Sequence, residues 1–292
     1  MASQPAGGRP TRKKHRPSTP KPKPQRKAKG ARQQTPSSQP SAGGGGGRLW
    51  LYGRHAVEAA LNNPRRTCHQ LLVTDEALER LGKAARSRTP EIRRAERAEL
   101  DAKLGEHVVH QGLALAVAPL PSLSLEKAAG APAGVDGADG ATVLVLDRVN
   151  DPHNLGAILR SAVAFGARAV VVPHRQSAEL GGAVAKAASG ALDMVPIVEV
   201  TNLSRALDQL KDLGYWRAGL DGRAPQTLDE APKFEKLALV LGAEGSGIRR
   251  LVAEHCDLLL RLPISERMES LNVSVACGIA LYALNNPAQM RS

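Results

Sequence analysis

The 292-residue sequence predicts an α/β protein with a mostly parallel sheet covered on both faces, preceded by a smaller α/β module, and three observations lead there. From residue 142 onward, short apolar runs alternate with segments whose apolar residues recur at helical spacing, the pattern of strands joined by crossover helices. The strand runs, such as Thr142-Val143-Leu144-Val145-Leu146, are apolar nearly throughout, as strands buried on both faces must be. Upstream, a Pro-, Ala- and Gly-rich stretch (119–140) separates this region from the smaller module, and residues 1–47 contain no Leu, Ile, Val, Phe, Tyr or Trp.

The net charge of +12 resides in that first segment, which holds 11 Lys/Arg and no acid, leaving 29 basic and 28 acidic residues in the remainder. A segment so poor in apolar side chains buries too little surface to offset its ordering entropy, so residues 1–47 read as a disordered basic tail. An organelle-targeting peptide is the rival reading, but Pro17, Pro20, Pro22 and Pro24 forbid the amphipathic helix such peptides form. No apolar run approaches the roughly 18–20 residues of a membrane span, and no secretory signal opens the chain, so a soluble, cytoplasmic protein is expected. Cys68, Cys256 and Cys277 are odd in number, widely spaced and without a CxxC pair, which argues against a disulfide framework and against a metal site.

Folded sequence begins at Arg48. Leu49 to Tyr52 reads as a strand that breaks at Gly53, and the helix after it ends near Asn62-Asn63-Pro64. A second strand (Gln70 to Thr74), a helix (Glu76 to Ser87) and a third strand (Leu113 to Ala118) complete a small module over 48–118, with 119–140 as linker. The second domain, 141–292, continues with a strand at Thr142 to Asp147, a helix at Leu155 to Gly166, a strand at Ala169 to Val172, a helix at Glu179 to Ala188 and a strand at Val195 to Val200. Helices at Leu203 to Leu213, Ile248 to His255 and Leu271 to Leu284 then alternate with strands at Trp216 to Leu220, Leu237 to Leu241 and Leu258 to Leu262. Ligands of such sheets bind beyond the carboxyl ends of the strands, so the turns there are where chemistry is expected.

Three of those turns are rich in polar residues or glycine. The first, Asp147 to Arg160, offers Asn154 as a helix N-cap ahead of the buried stripe Leu155, Ile158, Leu159 and Ala162, and Arg160 lies off that stripe. An off-stripe Arg is ordinarily a solvated helix residue. Here it follows a polar loop at a strand end, where a fixed cation meets phosphate or a developing alkoxide. The second, Leu241-Gly242-Ala243-Glu244-Gly245-Ser246-Gly247, ends a strand in three glycines and places Glu244 where no packing needs a carboxylate. It is neither a GxxxxGK[ST] phosphate loop nor a GxGxxG dinucleotide fingerprint. The third runs from Leu262 through Ile264 to Ser270-Leu271-Asn272, where Ser270 or Asn272 starts the last helix. His107 and His110 beside Glu106 have metal-like spacing but lack further ligands, and Cys256 beside His255 lacks a third group, so structural roles are expected for both.

In order and separation these segments resemble the three motifs of the SpoU branch (TrmH-type) of the SPOUT methyltransferases, which 2'-O-methylate ribose in RNA with S-adenosylmethionine. The resemblance rests on Asp151-Pro152-His153-Asn154-Leu155-Gly156 with Arg160, on Leu241 to Gly247, and on Ser270-Leu271-Asn272-Val273-Ser274, and it covers residues 142–286. Residues 48–118, with Gly53-Arg54-His55-Ala56-Val57 and His110-Gln111-Gly112, are similar to the substrate-binding domain of the bacterial large-subunit rRNA guanosine 2'-O-methyltransferases.

That likeness implies a trefoil-knotted methyltransferase domain behind an L30e-like RNA-binding domain, a homodimer, and rRNA as the RNA partner. S-adenosylmethionine would be held by Leu241, Gly242, Gly245, Leu262, Ile264, Leu271 and Asn272, while Asn154, Arg160, Glu244, Ser270 and Asn272 would form the reaction site. Asn154 and Asn272 would orient the ribose or Arg160, Glu244 would hold Arg160 or a substrate hydroxyl, and Ser270 would support the cofactor loop. An Arg with a pKa above about 12 stays charged, so Arg160 suits stabilisation of the forming alkoxide better than proton removal. Methylation of a tRNA ribose and a non-catalytic RNA-binding assembly factor are the competing expectations.

Overall fold

The computed structural model describes residues 48–82, 91–130 and 142–284. The basic tail, the last residues of the helix expected over Glu76 to Ser87, and the glycine-rich end of the expected linker lie outside them.

The small module is a four-stranded mixed sheet in the order β1-β4-β2-β3, formed by β1 (Leu49–Tyr52), β2 (Cys68–Val73), β3 (Ile92–Arg94) and β4 (Leu113–Val117). Strand β4 is wholly buried because it runs antiparallel to both β1 and β2 at the centre of the sheet. Helices α1 (Arg54–Asn62), α2 (Asp75–Arg80) and α3 (Arg97–Leu104) complete it. The sequence reading missed β3 and α3. All of Ile92-Arg93-Arg94 is exposed at the sheet edge, and α3 buries only Leu100 and Leu104, so neither left a strong apolar pattern. Thr74 caps α2 by accepting the Ala77 N–H, and the helix gives out at Leu81, short of the expected length.

The expected linker also contains a helix, α4 (Leu125–Gly130). Leu125, Ala128 and Ala129 are buried at i, i+3 and i+4, and the Tyr215 hydroxyl donates to the Ala129 carbonyl at 3.0 Å. Two alanines make a thin stripe, and the surrounding Pro and Gly residues hid it.

The second sheet has seven strands, all paired in parallel: β5 (Thr142–Leu146), β6 (Ala169–Pro173), β7 (Ile197–Val200), β8 (Trp216–Leu220), β9 (Gln226–Thr227), β10 (Leu237–Leu241) and β11 (Leu258–Arg261). Their order is β7-β6-β5-β10-β8-β11-β9. The chain winds outward from β5 to β7, crosses to β8 and β9 on the other side, and then inserts β10 beside β5, so the switch point of the sheet lies between β5 and β10. Leu146, Leu241 and Leu220 stand in register there at the ends of three adjacent strands.

Alternation of side chains assigns the two faces. Leu144, Leu146, Leu239 and Leu241 point to one core with α5 (Pro152–Ala164), α6 (Gly182–Ala187) and α9 (Val273–Leu284). Val143, Val145, Ala238 and Val240 point to the other with α4, α7 (Leu203–Asp212) and α8 (Arg250–Ala253). The core shared with α5 runs on without a break into Leu51, Val57 and Leu115 of the small module. Among the described residues no helix is long and apolar enough to cross a membrane.

Helix α5 starts at Pro152, and its N-cap lies three residues before Asn154, the expected cap. Asp151 takes that place, accepting the His153 N–H at 2.9 Å, and Pro152 opens the first turn, where its missing N–H costs nothing. Asn154 is thereby left free for other bonds. Two residues further, Gly156 meets α6 so closely that a Cβ would stand 2.4 Å from the Ala187 Cβ and 2.7 Å from the Ala187 carbonyl carbon. Gly156→Ala should therefore destabilise the fold by about 2 kcal/mol despite alanine's better helix propensity, because backbone has to move. A urea titration in which the variant unfolds at or above the wild-type midpoint would show that the two helices separate freely.

Candidate active site

Strand β5 ends in a carboxylate. Asp147 is fully buried; its N–H donates to the Leu241 carbonyl at 2.7 Å, and its side chain accepts the Arg249 N–H and Arg249 Nε, both at 2.8 Å. One residue thus fastens the end of β5 to both ends of the glycine loop, 242–249. Arg148 follows in the left-handed region at φ 61°, its guanidinium donating to Ser246 Oγ at 3.4 Å. The sequence reading missed Asp147 and Arg249 as architects of the site. The available signal was a carboxylate placed directly after an uninterrupted apolar strand.

The loop so fastened doubles back on itself. A Cβ at position 242 would lie 2.0 Å from the Gly247 carbonyl carbon and 2.2 Å from the Ile248 nitrogen, so backbone occupies the space of any side chain. Beside the loop is a pocket of about 450 Å³, within the usual size range for small-molecule sites. Leu241, Gly242, Gly245, Leu262, Ile264 and Leu271, the expected cofactor residues, all line it. Asn272, the seventh, does not. Asp221 and Arg223, which the sequence reading did not single out, stand at its wall, and the Arg223 hydrogen bond holds the Asp221 carboxyl below its ordinary range.

Three of the expected reaction residues meet. Asn272 Nδ2 donates to Asn154 Oδ1 at 2.8 Å and to Glu244 Oε2 at 3.4 Å, and Asn154 Nδ2 donates to the same Glu244 oxygen at 3.3 Å. Asn272 also caps α9: its Oδ1 accepts the Ser274 N–H at 2.9 Å and the Ser274 hydroxyl at 2.6 Å, which fixes the orientation of its amide. Ser270 lies apart, in the pocket wall. Arg160 is exposed, about 9 Å farther along α5 than Asn154 and a third of a turn around it. Among the contacts of the described residues it makes no bond to Glu244, whose expected role was to hold either Arg160 or a substrate hydroxyl; Glu244 Oε2 is bonded to the two amides.

The other polar candidates are structural. His110 is buried, its Nε2 on Asp101 Oδ1 at 3.0 Å and its Nδ1 accepting the Gly112 N–H at 3.1 Å. His255 turns to Asp208 at 2.8 Å, and the neighbouring Cys256 thiol donates to the Val252 carbonyl instead. Burial pushes the Cys256 thiol up to about 12, and likewise the Cys277 thiol on α9. Among the described residues no group of three or more His, Cys, Asp or Glu is placed to hold a metal ion.

A pocket beyond the carboxyl ends of β8, β10 and β11 of a parallel sheet, with a polar cluster at its edge, is the site of an α/β enzyme. Residues 141–282 match the model of the SpoU rRNA Methylase family, and residues 50–123 match that of the RNA 2'-O ribose methyltransferase substrate binding domain. The chain is 41% identical over 244 residues to 23S rRNA (guanosine-2'-O-)-methyltransferase RlmB of Escherichia coli K12, covering 80% of this chain and 96% of that one. With the protein of the same name from Pseudomonas putida it shares 40% over 254 residues, 82% of this chain and 97% of the relative. The solved SpoU methyltransferase AviRb from Streptomyces viridochromogenes, in complex with the cofactor AdoMet, has the same fold: TM-score 0.67 over 84% of this chain and 91% of that one, at 23% identity. The chain belongs to the SpoU rRNA methylase family.

Because folding raises both thiols to about 12 from an ordinary value near 9, they bind protons more tightly in the folded state, and the stability they contribute is complete below pH 9. Stability should fall as the pH rises from 9 toward 12, and iodoacetamide at pH 8 should leave both residues unmodified until the chain unfolds. Rapid alkylation of Cys277 in the native protein would contradict this.

Proposed function

We propose that this chain transfers a methyl group from S-adenosylmethionine to the ribose 2'-oxygen of a guanosine in 23S rRNA. The observation behind the chemistry is the position of Glu244, which lines the pocket with one side and binds Asn154 and Asn272 with the other. The substrate rests on the curated relatives, which are named for that nucleoside and that RNA. Methylation of a tRNA ribose keeps the same chemistry, but the relatives aligned over 254 and 244 residues of this chain are named for rRNA, which favours rRNA.

The pocket suits the cofactor because three loops at strand ends enclose it, and Gly242 lets one of them fold back on itself to form its wall. Bound there, S-adenosylmethionine supplies a methyl group on a sulfonium, already an excellent leaving group. The protein's task is then to orient a hydroxyl and receive its proton. Asn154 and Asn272, held by Ser274, fix the Glu244 carboxylate, whose Oε1 remains for the 2'-hydroxyl. A carboxylate hydrogen-bonded to the hydroxyl draws its proton as the oxygen attacks carbon, which gives that oxygen alkoxide character. Arg160, permanently charged, stabilises the developing alkoxide and the adjoining phosphate.

The surface of the same two helices supports a homodimer. Val163 on α5 and Val275, Ile279 and Tyr282 on α9 are exposed, with Phe165 edge-on to Tyr282 at 6.2 Å between ring centres. Arg160 lies one turn before Val163, so pairing of these faces brings it to the seam between protomers.

Calorimetry should find binding of S-adenosylmethionine in the absence of RNA. Arg160→Ala should keep that affinity, since Arg160 does not line the pocket, and lose about 100-fold to 1,000-fold in single-turnover rate. A folded protein that fails to bind the cofactor would defeat the reading; a variant of undiminished rate would remove Arg160 from the mechanism. Tyr282→Asp should shift the mass measured by light scattering toward the monomer, and an unchanged dimer would place the interface elsewhere.

A further inference from the structure

Two groups of residues in the small module touch neither the pocket nor the asparagine cluster: Gly53-Arg54 and His110-Gln111-Gly112. The structure gives them a common neighbour. Gln111 stands in the left-handed region at φ 57°, a position that costs a non-glycine residue energy and is kept where surrounding contacts enforce it. Its Oε1 accepts two bonds, from the Arg54 N–H at 3.0 Å and from Lys186 Nζ at 2.9 Å. Lys186 belongs to α6, in the layer that covers the seven-stranded sheet. Gly53 makes room for it, since a Cβ there would sit 2.6 Å from Lys186 Nζ. The buried His110, bonded to Asp101 and to the Gly112 N–H, braces the turn from behind.

The same segment grips the small module at two more points. A Cβ on Gly182, the first residue of α6, would meet the Trp50 carbonyl oxygen at 2.4 Å. Just after α6, Asp193 receives Arg66 in a two-pronged pair, Nε at 2.8 Å and the second prong at 3.0 Å, together with Asn63 Nδ2 at 2.9 Å. The side chains of Arg66 and Asp193 are each 1% exposed, so neither charge has water to turn to if the modules part. On its opposite side α6 lies against Gly156 of α5, two residues from Asn154. Residues 182–193 are therefore wedged between the small module and the helix that carries Asn154 and Arg160.

We propose that Gly53-Arg54 and His110-Gln111-Gly112 form an intramolecular clasp for Lys186, which with the Arg66–Asp193 pair locks the small module to α6 and sets its position relative to the reaction cluster. Gln111 and Lys186 are positioning residues: they act on RNA through the geometry of the docked module and not by touching it. The effect on RNA rests on the function proposed above; the docking itself does not.

The test uses hydrogen–deuterium exchange on the full chain without RNA, comparing Gln111→Ala, Lys186→Met and the double variant. Each single change removes a hydrogen bond to a charged group, so amide exchange across 182–188 should rise about tenfold, and the double variant should rise no further. Gln111→Glu keeps an acceptor for both donors and should restore protection. Cofactor affinity should stay within about twofold, while KM for the RNA substrate rises severalfold more than kcat changes. Unchanged exchange in RNA-free protein, or single effects that multiply in the double variant, would overturn the clasp; the first result combined with weakened RNA binding would make Gln111 a direct RNA contact. Exchange is read without catalysis, so a protein that binds no S-adenosylmethionine would defeat the methyltransferase reading and leave this measurement standing.

Discussion

A single buried carboxylate organises the catalytic end of the large sheet. Taking an ion out of water costs several kcal/mol unless its partners are well placed, and Asp147, wholly buried, is answered by a guanidinium and a backbone N–H of the same residue, Arg249. Its own N–H binds Leu241, so β5 and β10 end together. The chain between Leu241 and Arg249 must then leave and re-enter the same small area. It does so only because Gly242 lets Gly247 and Ile248 lie against it. The shape of the pocket and the outward placement of Glu244 both follow from that constraint.

What the loop presents is inexpensive to hold. Glu244, Asn272 and Ser270 are exposed, and Asn154 is half-buried, so their hydrogen bonds are made at the surface, where water can replace them. Precision comes instead from the elements behind them. Asp151 and Pro152 set the start of α5, the Asn272–Ser274 bonds set the start of α9, and packing of α5 on α6 through Gly156 leaves little freedom in the helix that carries Asn154.

The strands were legible because burial on both faces demands uninterrupted apolar runs, and β5, β6 and β10 meet that demand residue for residue. Three kinds of information were not. Helix ends were misjudged where two capping residues competed, as at Asp151 and Asn154. Elements with little apolar surface, β3 and α3, left no periodicity, and α4 was hidden by its alanines. The partners in the reaction cluster were beyond any local pattern, since Asn154 lies 90 residues from Glu244 and 118 from Asn272. The motif spacing singled out these residues by resemblance; only the parallel order β5-β10 explains why they meet.

Of the two partners expected for Glu244, Arg160 or a substrate hydroxyl, the hydroxyl makes better chemical sense for the proposed reaction. An ion pair between Arg160 and Glu244 would draw the guanidinium away from the alkoxide and the carboxylate away from the hydroxyl, weakening both functions at once. The two asparagines bind Glu244 Oε2 with neutral donors, which orient the carboxylate without cancelling its charge. Arg160 in turn stands on an exposed stretch of α5, beside the apolar residues proposed to meet a second copy. A surface cation is strongly screened by water, whereas one enclosed at a protein seam acts through a lower effective dielectric. In the proposed mechanism and the proposed dimer, the proton acceptor would be positioned within each protomer, and the anion-stabilising charge would gain its strength from assembly.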